Sequence, residues 1–248
     1  MELSKAKIII TGGAGNIGRF LALQLLPKVE KVFILDNNET SLAEIQSEPN
    51  LFIAKCDVTN PDEVNVVVSK IFLEEGGANV LINNAGIIHN ELLLNLLMRP
   101  DRKHSIQNWN KVVNVNLNSV FLVTSNVVDQ MISKKEKGVI INVSSISAQG
   151  NMGQSAYSAT KAAVEALTIV WSKELGLFHI RSVCIAPGFF NTTSTQQSLS
   201  ESVLSKWKKN VPIGRLGELN ELLRATEFLI ENDYYNGKIL QLDGGLNL

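Results

Sequence analysis

Between a short β-branched run, Lys7 to Ile10, and a stretch with apolar residues at helical spacing, Arg19 to Leu26, lies Thr11-Gly12-Gly13-Ala14-Gly15-Asn16-Ile17-Gly18. A turn this rich in glycine lets main chain approach an anion closely. The helix behind it offers unpaired N–H groups and the positive end of its dipole. Pro27 stops that helix. Glycine spacing alone is weak, because any loop needing positive φ can use the same residues. Its place after a first strand and before a first helix is the context that makes it a pyrophosphate turn.

The rest of the chain repeats the unit. Apolar strands are expected at Lys31 to Leu35, Leu51 to Lys55, Ala78 to Ile82, Val139 to Val143, Ile180 to Ala186 and Lys238 to Leu242. Helices are expected at Thr40 to Gln46, from Asn60-Pro61 to Glu75, from Trp109 to Lys134, at Gln154 to Leu177, at Ser198 to Asn210 and at Glu218 to Ile230. Strands and helices alternate, and the central strands are apolar throughout, which is the pattern of a parallel sheet covered on both faces. With no linker, repeat or low-complexity segment, residues 1–248 read as one domain.

Composition excludes several classes. The net charge is −1 and 45% of the residues are hydrophobic, so neither nucleic acid nor disorder is indicated. Cys56 and Cys184 fall at or within strands and read as buried thiols, and His89, His104 and His179 show no ligand spacing, so no metal is expected. MELSKAKIII runs straight into a strand, without the architecture of a signal peptide or membrane span, and the expected location is the cytoplasm.

Ser144 to Lys161 reads SSISAQGNMGQSAYSATK. Tyr157 and Lys161 stand one helical turn apart and leave the same face. A phenol is a poor proton donor or acceptor near neutrality, and a nearby ammonium favours the phenolate. A serine hydroxyl in reach would hold a carbonyl or alcohol oxygen beside it. Ser144 precedes Tyr157 by thirteen residues and is preferred on that spacing. Ser145 is the alternative, since a strand end alternates faces. The trio suggests proton transfer at a carbon–oxygen bond.

Asp36 ends the second strand, eighteen residues past Gly18, with Asn37 beside it. There a carboxylate can accept from both ribose hydroxyls and would repel a 2′-phosphate, which favours NAD over NADP. No arginine in the turn or just after Asp36 offers to hold such a phosphate.

Taken in order, TGGAGNIG, Cys56-Asp57-Val58, Asn83-Asn84-Ala85-Gly86, Val115-Asn116-Leu117, Ser144, Tyr157-Ser158-Ala159-Thr160-Lys161, Pro187-Gly188 and Asp243-Gly244-Gly245 make the chain similar to the classical short-chain dehydrogenase/reductase family over nearly its whole length. Val211-Pro212-Ile213-Gly214-Arg215 and Gln241-Leu242-Asp243-Gly244-Gly245 resemble its 3-oxoacyl-carrier-protein-reductase-like branch. The resemblance implies an α/β Rossmann fold, a doubly wound seven-stranded parallel sheet in the order 3-2-1-4-5-6-7. It implies NAD(H)-dependent interconversion of a secondary alcohol and a ketone, and a homo-oligomer, a tetramer or else a dimer. Tyr157 would be the general acid/base, and Lys161 would lower its pKa and grip the nicotinamide ribose. Ser144 would hold the substrate oxygen, and Asn116 would kink its helix and anchor a water. Gly12, Gly15, Asn16, Ile17 and Gly18 would line the pyrophosphate, Asp57 and Val58 the adenine, Asn84, Ala85 and Gly86 the adenosine ribose. Beyond Pro187 and Gly188, Phe190 and Thr192 would meet the carboxamide, under a substrate flap at about 189–212.

Two departures stand out. Thr11, Gly12, Gly15 and Gly18 follow the T-G-x-x-G-x-x-G habit of the sugar-nucleotide-modifying branch, with Asn16 where glycine is usual. The stretch at about 87–106 is longer than the pattern requires, and Leu92 to His104 is expected to form an excursion near the site mouth or a neighbouring subunit. The rival functions are a carrier-protein reductase, which in that branch usually takes NADPH, a sugar epimerase or dehydratase, and a dinucleotide-sensing regulator. The chain has no room for the epimerases' further substrate domain, and regulators generally lose the tyrosine or lysine.

Overall fold

Strands form where β-branched residues run together, and each leads into a turn that opens the next helix. The computed structural model describes residues 1–97, 100–192 and 209–246. The strands are β1 Lys7–Thr11, β2 Lys31–Asp36, β3 Leu51–Lys55, β4 Val80–Asn83, β5 Gly138–Val143, β6 Ile180–Pro187 and β7 Ile239–Leu242. The helices are α1 Asn16–Leu25, α2 Glu39–Ala43, α3 Pro61–Leu73, α4 Ile106–Val113, α5 Ser119–Ser133, α6 Ser155–Glu174 and α7 Leu219–Glu231. One seven-stranded sheet, parallel throughout, runs β3-β2-β1-β4-β5-β6-β7, the Rossmann arrangement expected from the family resemblance.

The continuous apolar strands follow from two covered faces. Ile8, Ile10, Val32 and Ile34 pack with Leu21 and Leu25 of α1 and Leu222 and Leu229 of α7. Ile9, Phe33 and Leu81 point the other way, onto Val64 and Val68 of α3 and Val123 and Val127 of α5. Successive strand residues alternate faces, so both sets must be apolar. Strand order reverses between β1 and β4, and ligands of such sheets collect at the carboxyl ends beside that reversal.

Several boundaries move for local reasons. β4 starts at Val80 rather than Ala78, because the Asn79 side chain accepts from Lys7 N at 2.8 Å and donates to Lys5 O at 3.0 Å. The helix expected from Trp109 begins at Ile106, where Ser105 Oγ accepts from Asn108 N at 3.2 Å and caps it. It does not run evenly to Lys134: Asn114–Asn118 form a π-helical stretch between α4 and α5. α6 stops at Glu174, short of Leu177, and the chain turns out through a short 3-10 segment with His179 at φ 57. α2 ends at Ala43, before the expected Gln46. The expected helix at Ser198 to Asn210, and residues 193–208 of the flap, fall almost wholly outside the described residues. Cys56 and Cys184 are buried free thiols, and burial pushes both up to about 12.

Candidate active site

At the carboxyl end of β1 the glycine turn is braced from β4. Thr11 Oγ1 accepts from Asn84 N and Ala85 N, each at 3.1 Å. Asn84 Nδ2 donates to Thr11 O at 3.0 Å and Gly12 O at 3.1 Å. Gly12 has φ 62, and a Cβ there would sit 2.8 Å from Ala85 Cα; one on Gly18 would overlap the Gly12 carbonyl oxygen. Only glycine permits this close turn. The N-cap of α1 is Gly15, which has no side chain to cap the first turn, so main-chain donors and the dipole end are left for an anion. These residues fit the pyrophosphate of a dinucleotide. The Asn84 amide is committed to bracing the turn.

Asp36 stands at the rim of the same turn. Its Oδ2 accepts from Ala14 N at 3.0 Å and its Oδ1 from Asn38 N at 3.0 Å, while Asn37 is exposed beside it. Across the crevice Asp57 Oδ1 accepts from Thr59 N at 2.9 Å and Thr59 Oγ1 at 2.7 Å, and Val58 is buried.

Deeper in the crevice α6 carries Tyr157 and Lys161 on one buried face. Lys161 Nζ lies 5.7 Å from the Tyr157 ring centroid and donates to Val143 O at 2.7 Å. Burial pulls the ammonium down to about 8, partly opposed by the nearby Cys184. Burial also raises the Tyr157 phenol, a hydrogen bond with the Ser145 side chain opposing it. In this arrangement desolvation dominates at the phenol, and the ammonium is bonded to the strand.

The two serines make different contacts. Ser144 Oγ, almost fully buried, donates to Glu165 Oε1 at 2.8 Å and lies 3.2 Å from Lys161 O, tying β5 to α6. Ser145 Oγ accepts from Ser147 N at 3.2 Å and meets the Tyr157 hydroxyl. Ile146–Gln149 form a 3-10 turn between the serines and Tyr157, so residue counting alone carries no facing information. Strand alternation points to Ser145.

Asn116, fully buried in the π-helical stretch, grips one residue by both main-chain groups. Its Oδ1 accepts from Ile87 N at 2.8 Å and its Nδ2 donates to Ile87 O at 2.9 Å. Gly86 lies against it, and a Cβ there would be 3.4 Å from Asn116 Oδ1 and 3.6 Å from Lys161 Nζ. Past β6, Gly188 N donates to Leu242 O at 2.9 Å. The Phe190 ring is turned away from the crevice. It packs in the core on Gly217, leaving main chain to act there, and Thr192 N donates to Phe190 O at 3.0 Å.

Two groups of residues escaped the sequence reading. Asn83 Nδ2 donates to Thr124 Oγ1 and Asn142 Oδ1, both at 2.8 Å, and Asn142 Nδ2 to Thr168 Oγ1 at 2.9 Å. This buried chain of amides joins α5, β4, β5 and α6 just below the site. Its signal was an amide at the same register of two apolar strands. The second group is His89, Glu91 and His104, which a hairpin with Leu94 opposite Lys103 brings together.

A family model described as short chain dehydrogenase matches residues 6–203. The chain belongs to the short-chain dehydrogenase/reductase family, whose members are oxidoreductases with a nicotinamide dinucleotide. Among its relatives, a 3-oxoacyl-(acyl-carrier-protein) reductase of Thermotoga maritima is 35% identical over 99% of both chains. One so named from Chlamydia muridarum is 36% identical over 96% of both, and one from Aquifex aeolicus is 32% identical, again over 96% of both. Among the described residues no helix is long and apolar enough to cross a membrane.

Proposed function

We propose that the protein is an NAD(H)-dependent oxidoreductase that interconverts a secondary alcohol and a ketone, with Tyr157 as general acid/base. The observation that carries the reading is Tyr157 and Lys161 on one buried face of α6, with Lys161 Nζ 5.7 Å from the ring centroid. When bound, the cofactor supplies or removes the hydride at the substrate carbon. In reduction Tyr157 gives its hydroxyl proton to the substrate oxygen, and Ser145 Oγ donates a hydrogen bond that fixes that oxygen. A phenol raised by burial rests protonated, the state reduction needs. Lys161, its ammonium pulled down to about 8 by burial, stands over the Tyr157 ring and donates to Val143 O. Asn116 keeps Ile87 and Gly86 against the lysine, and Ser144 and Glu165 keep α6 against β5.

The preference for NAD rests on Asp36, whose carboxylate at the rim of the glycine turn would oppose a 2′-phosphate. The reading includes one domain, a cytoplasmic location and a homo-oligomer. A second reading, reduction of a 3-oxoacyl carrier-protein thioester, is favoured by the names of the relatives above. A non-catalytic dinucleotide sensor is disfavoured by the intact Tyr157 and Lys161.

The test is a spectrophotometric screen of NADH and NADPH against ketones, hydroxy acids, sugars and acyl thioesters. Turnover with NADH exceeds that with NADPH, Asp36→Ala narrows the gap, and Tyr157→Phe abolishes turnover while NADH fluorescence still reports binding. Activity retained in Tyr157→Phe defeats the mechanism, and an initial preference for NADPH defeats the role of Asp36.

A further inference from the structure

We propose that His89, Glu91 and His104 form a site for a divalent transition-metal ion of the zinc class, which fastens the excursion after β4 beside the active-site helix. Glu91 Oε2 lies 2.8 Å from His89 Nε2 and 3.6 Å from His104 Nδ1, and all three ligand atoms are within 4.8 Å of one another. Bonds of about 2.0–2.1 Å around a tetrahedral ion put neighbouring ligands about 3.3 Å apart, between those two distances. Two imidazoles and one carboxylate suit zinc, cobalt or nickel rather than calcium or magnesium, and three ligands leave a fourth position for water.

The carboxylate is already oriented from outside the site. Ser105 N donates to Glu91 Oε1 at 2.8 Å, and Asn108 Nδ2 donates to Oε2 at 3.0 Å. Such outer partners hold metal-binding carboxylates in place. The His104 side chain is 8% exposed and that of His89 31%, which gives a firm inner ligand and an open entry side. Binding requires His104 Nδ1 to leave Ser105 O, now at 3.0 Å, and the ring to carry its proton on Nε2.

Among the described residues the excursion is held by a few main-chain bonds, Asn95 N to Arg102 O at 2.7 Å and His104 N to Leu93 O at 3.0 Å, and by little apolar burial. Leu92, Leu93, Leu94, Leu96 and Leu97 are all exposed, so hydrophobic burial contributes little here. Its base is tied to the catalytic region: Glu91 N donates to Gly153 O at 2.7 Å, and Gln154 Nε2 to Asn90 Oδ1 at 2.8 Å, three residues before Tyr157. A metal at Glu91 therefore stiffens the approach to the site while touching none of its reacting atoms.

The experiment uses tag-free protein stripped with chelator, titrated with Zn²⁺ by calorimetry and with Co²⁺ by visible absorption. About one equivalent of Zn²⁺ binds per chain, Co²⁺ gives a tetrahedral spectrum without thiolate bands, and both His89→Ala and Glu91→Gln weaken binding ~100-fold. His179→Ala, remote in sequence from the cluster, leaves it unchanged. His89 is the most exposed of the three, so His89→Ala is not expected to unfold the chain, which circular dichroism confirms. Absence of stoichiometric uptake, thiolate bands, or affinity undiminished in folded His89→Ala overturns the proposal.

Discussion

At the scale of single residues, Ser145 and Ser144 differ by one position and by entire role. Ser145→Ala removes the hydroxyl that meets Tyr157, and the expected loss in kcat is about 10²-fold, the size typical of one preorganised donor. Ser144→Ala removes the bond to Glu165 instead, and the cost falls on stability, about 1–2 kcal/mol by urea titration, with kcat nearly unchanged. The reverse pattern would restore Ser144 to the substrate. Lys161 gives a test with a sign. Burial lowers it from 10.5 to about 8, so between those pH values the unfolded chain holds a proton that the folded chain does not. Stability therefore rises as pH climbs through that window and is lost again as pH falls toward 8. Against Lys161→Met, whose Tyr157 contribution largely cancels in the comparison, wild type gains on the order of a few kcal/mol from pH 8 to 10. A flat difference between the two denaturation series contradicts a buried, depressed lysine. Tyr157 and Lys161 were legible because a helix converts spacing directly into facing. The serine pair was not, since a 3-10 turn intervenes, and the histidines were not, since a hairpin brings His89 and His104, fifteen residues apart, into ring contact at 5.9 Å.

At the scale of elements, each functional side chain is placed by a junction rather than by a single strand or helix. The glycine turn holds its shape because Asn84 and Thr11 lace the ends of β1 and β4 together. The strand-turn-helix order was legible, as β-branched runs and glycines report local conformation. The lacing was not, because Asn83-Asn84 looks alike whether it caps a turn, crosses a sheet or meets a ligand. Asn83 crosses the sheet to Asn142, and Asn84 braces the turn. The π-helical stretch at Asn114–Asn118 was equally hidden. It carries Asn116 to the main chain of Ile87, a long-range bond that no local periodicity announces. Phe190 follows the same rule: a sequence motif fixes where its main chain lies, whereas core packing on Gly217 decides where its ring goes.

At the scale of the whole molecule, the alternation of elements implies a parallel sheet and the family resemblance its strand order, but assembly depends on what the outer helices leave uncovered. Phe121 of α5 is 58% exposed, and Ile169 and Val170 of α6 are 39% and 45% exposed. These lie on the outer sides of the helices that carry Asn116's neighbours and the catalytic pair, so a partner copy seated there would support the site from behind. A stable interface buries about 1,600 Å² in total, with large apolar side chains at its centre. Phe121→Glu combined with Ile169→Glu places two carboxylates in that centre, where desolvation without a partner is costly. The wild-type protein is expected to run as a dimer or tetramer in multi-angle light scattering, and the double variant as a folded monomer with reduced kcat. A wild-type monomer at tens of micromolar, or an oligomer untouched by both glutamates, would place the interface elsewhere and leave these three side chains as ordinary exposed apolar surface.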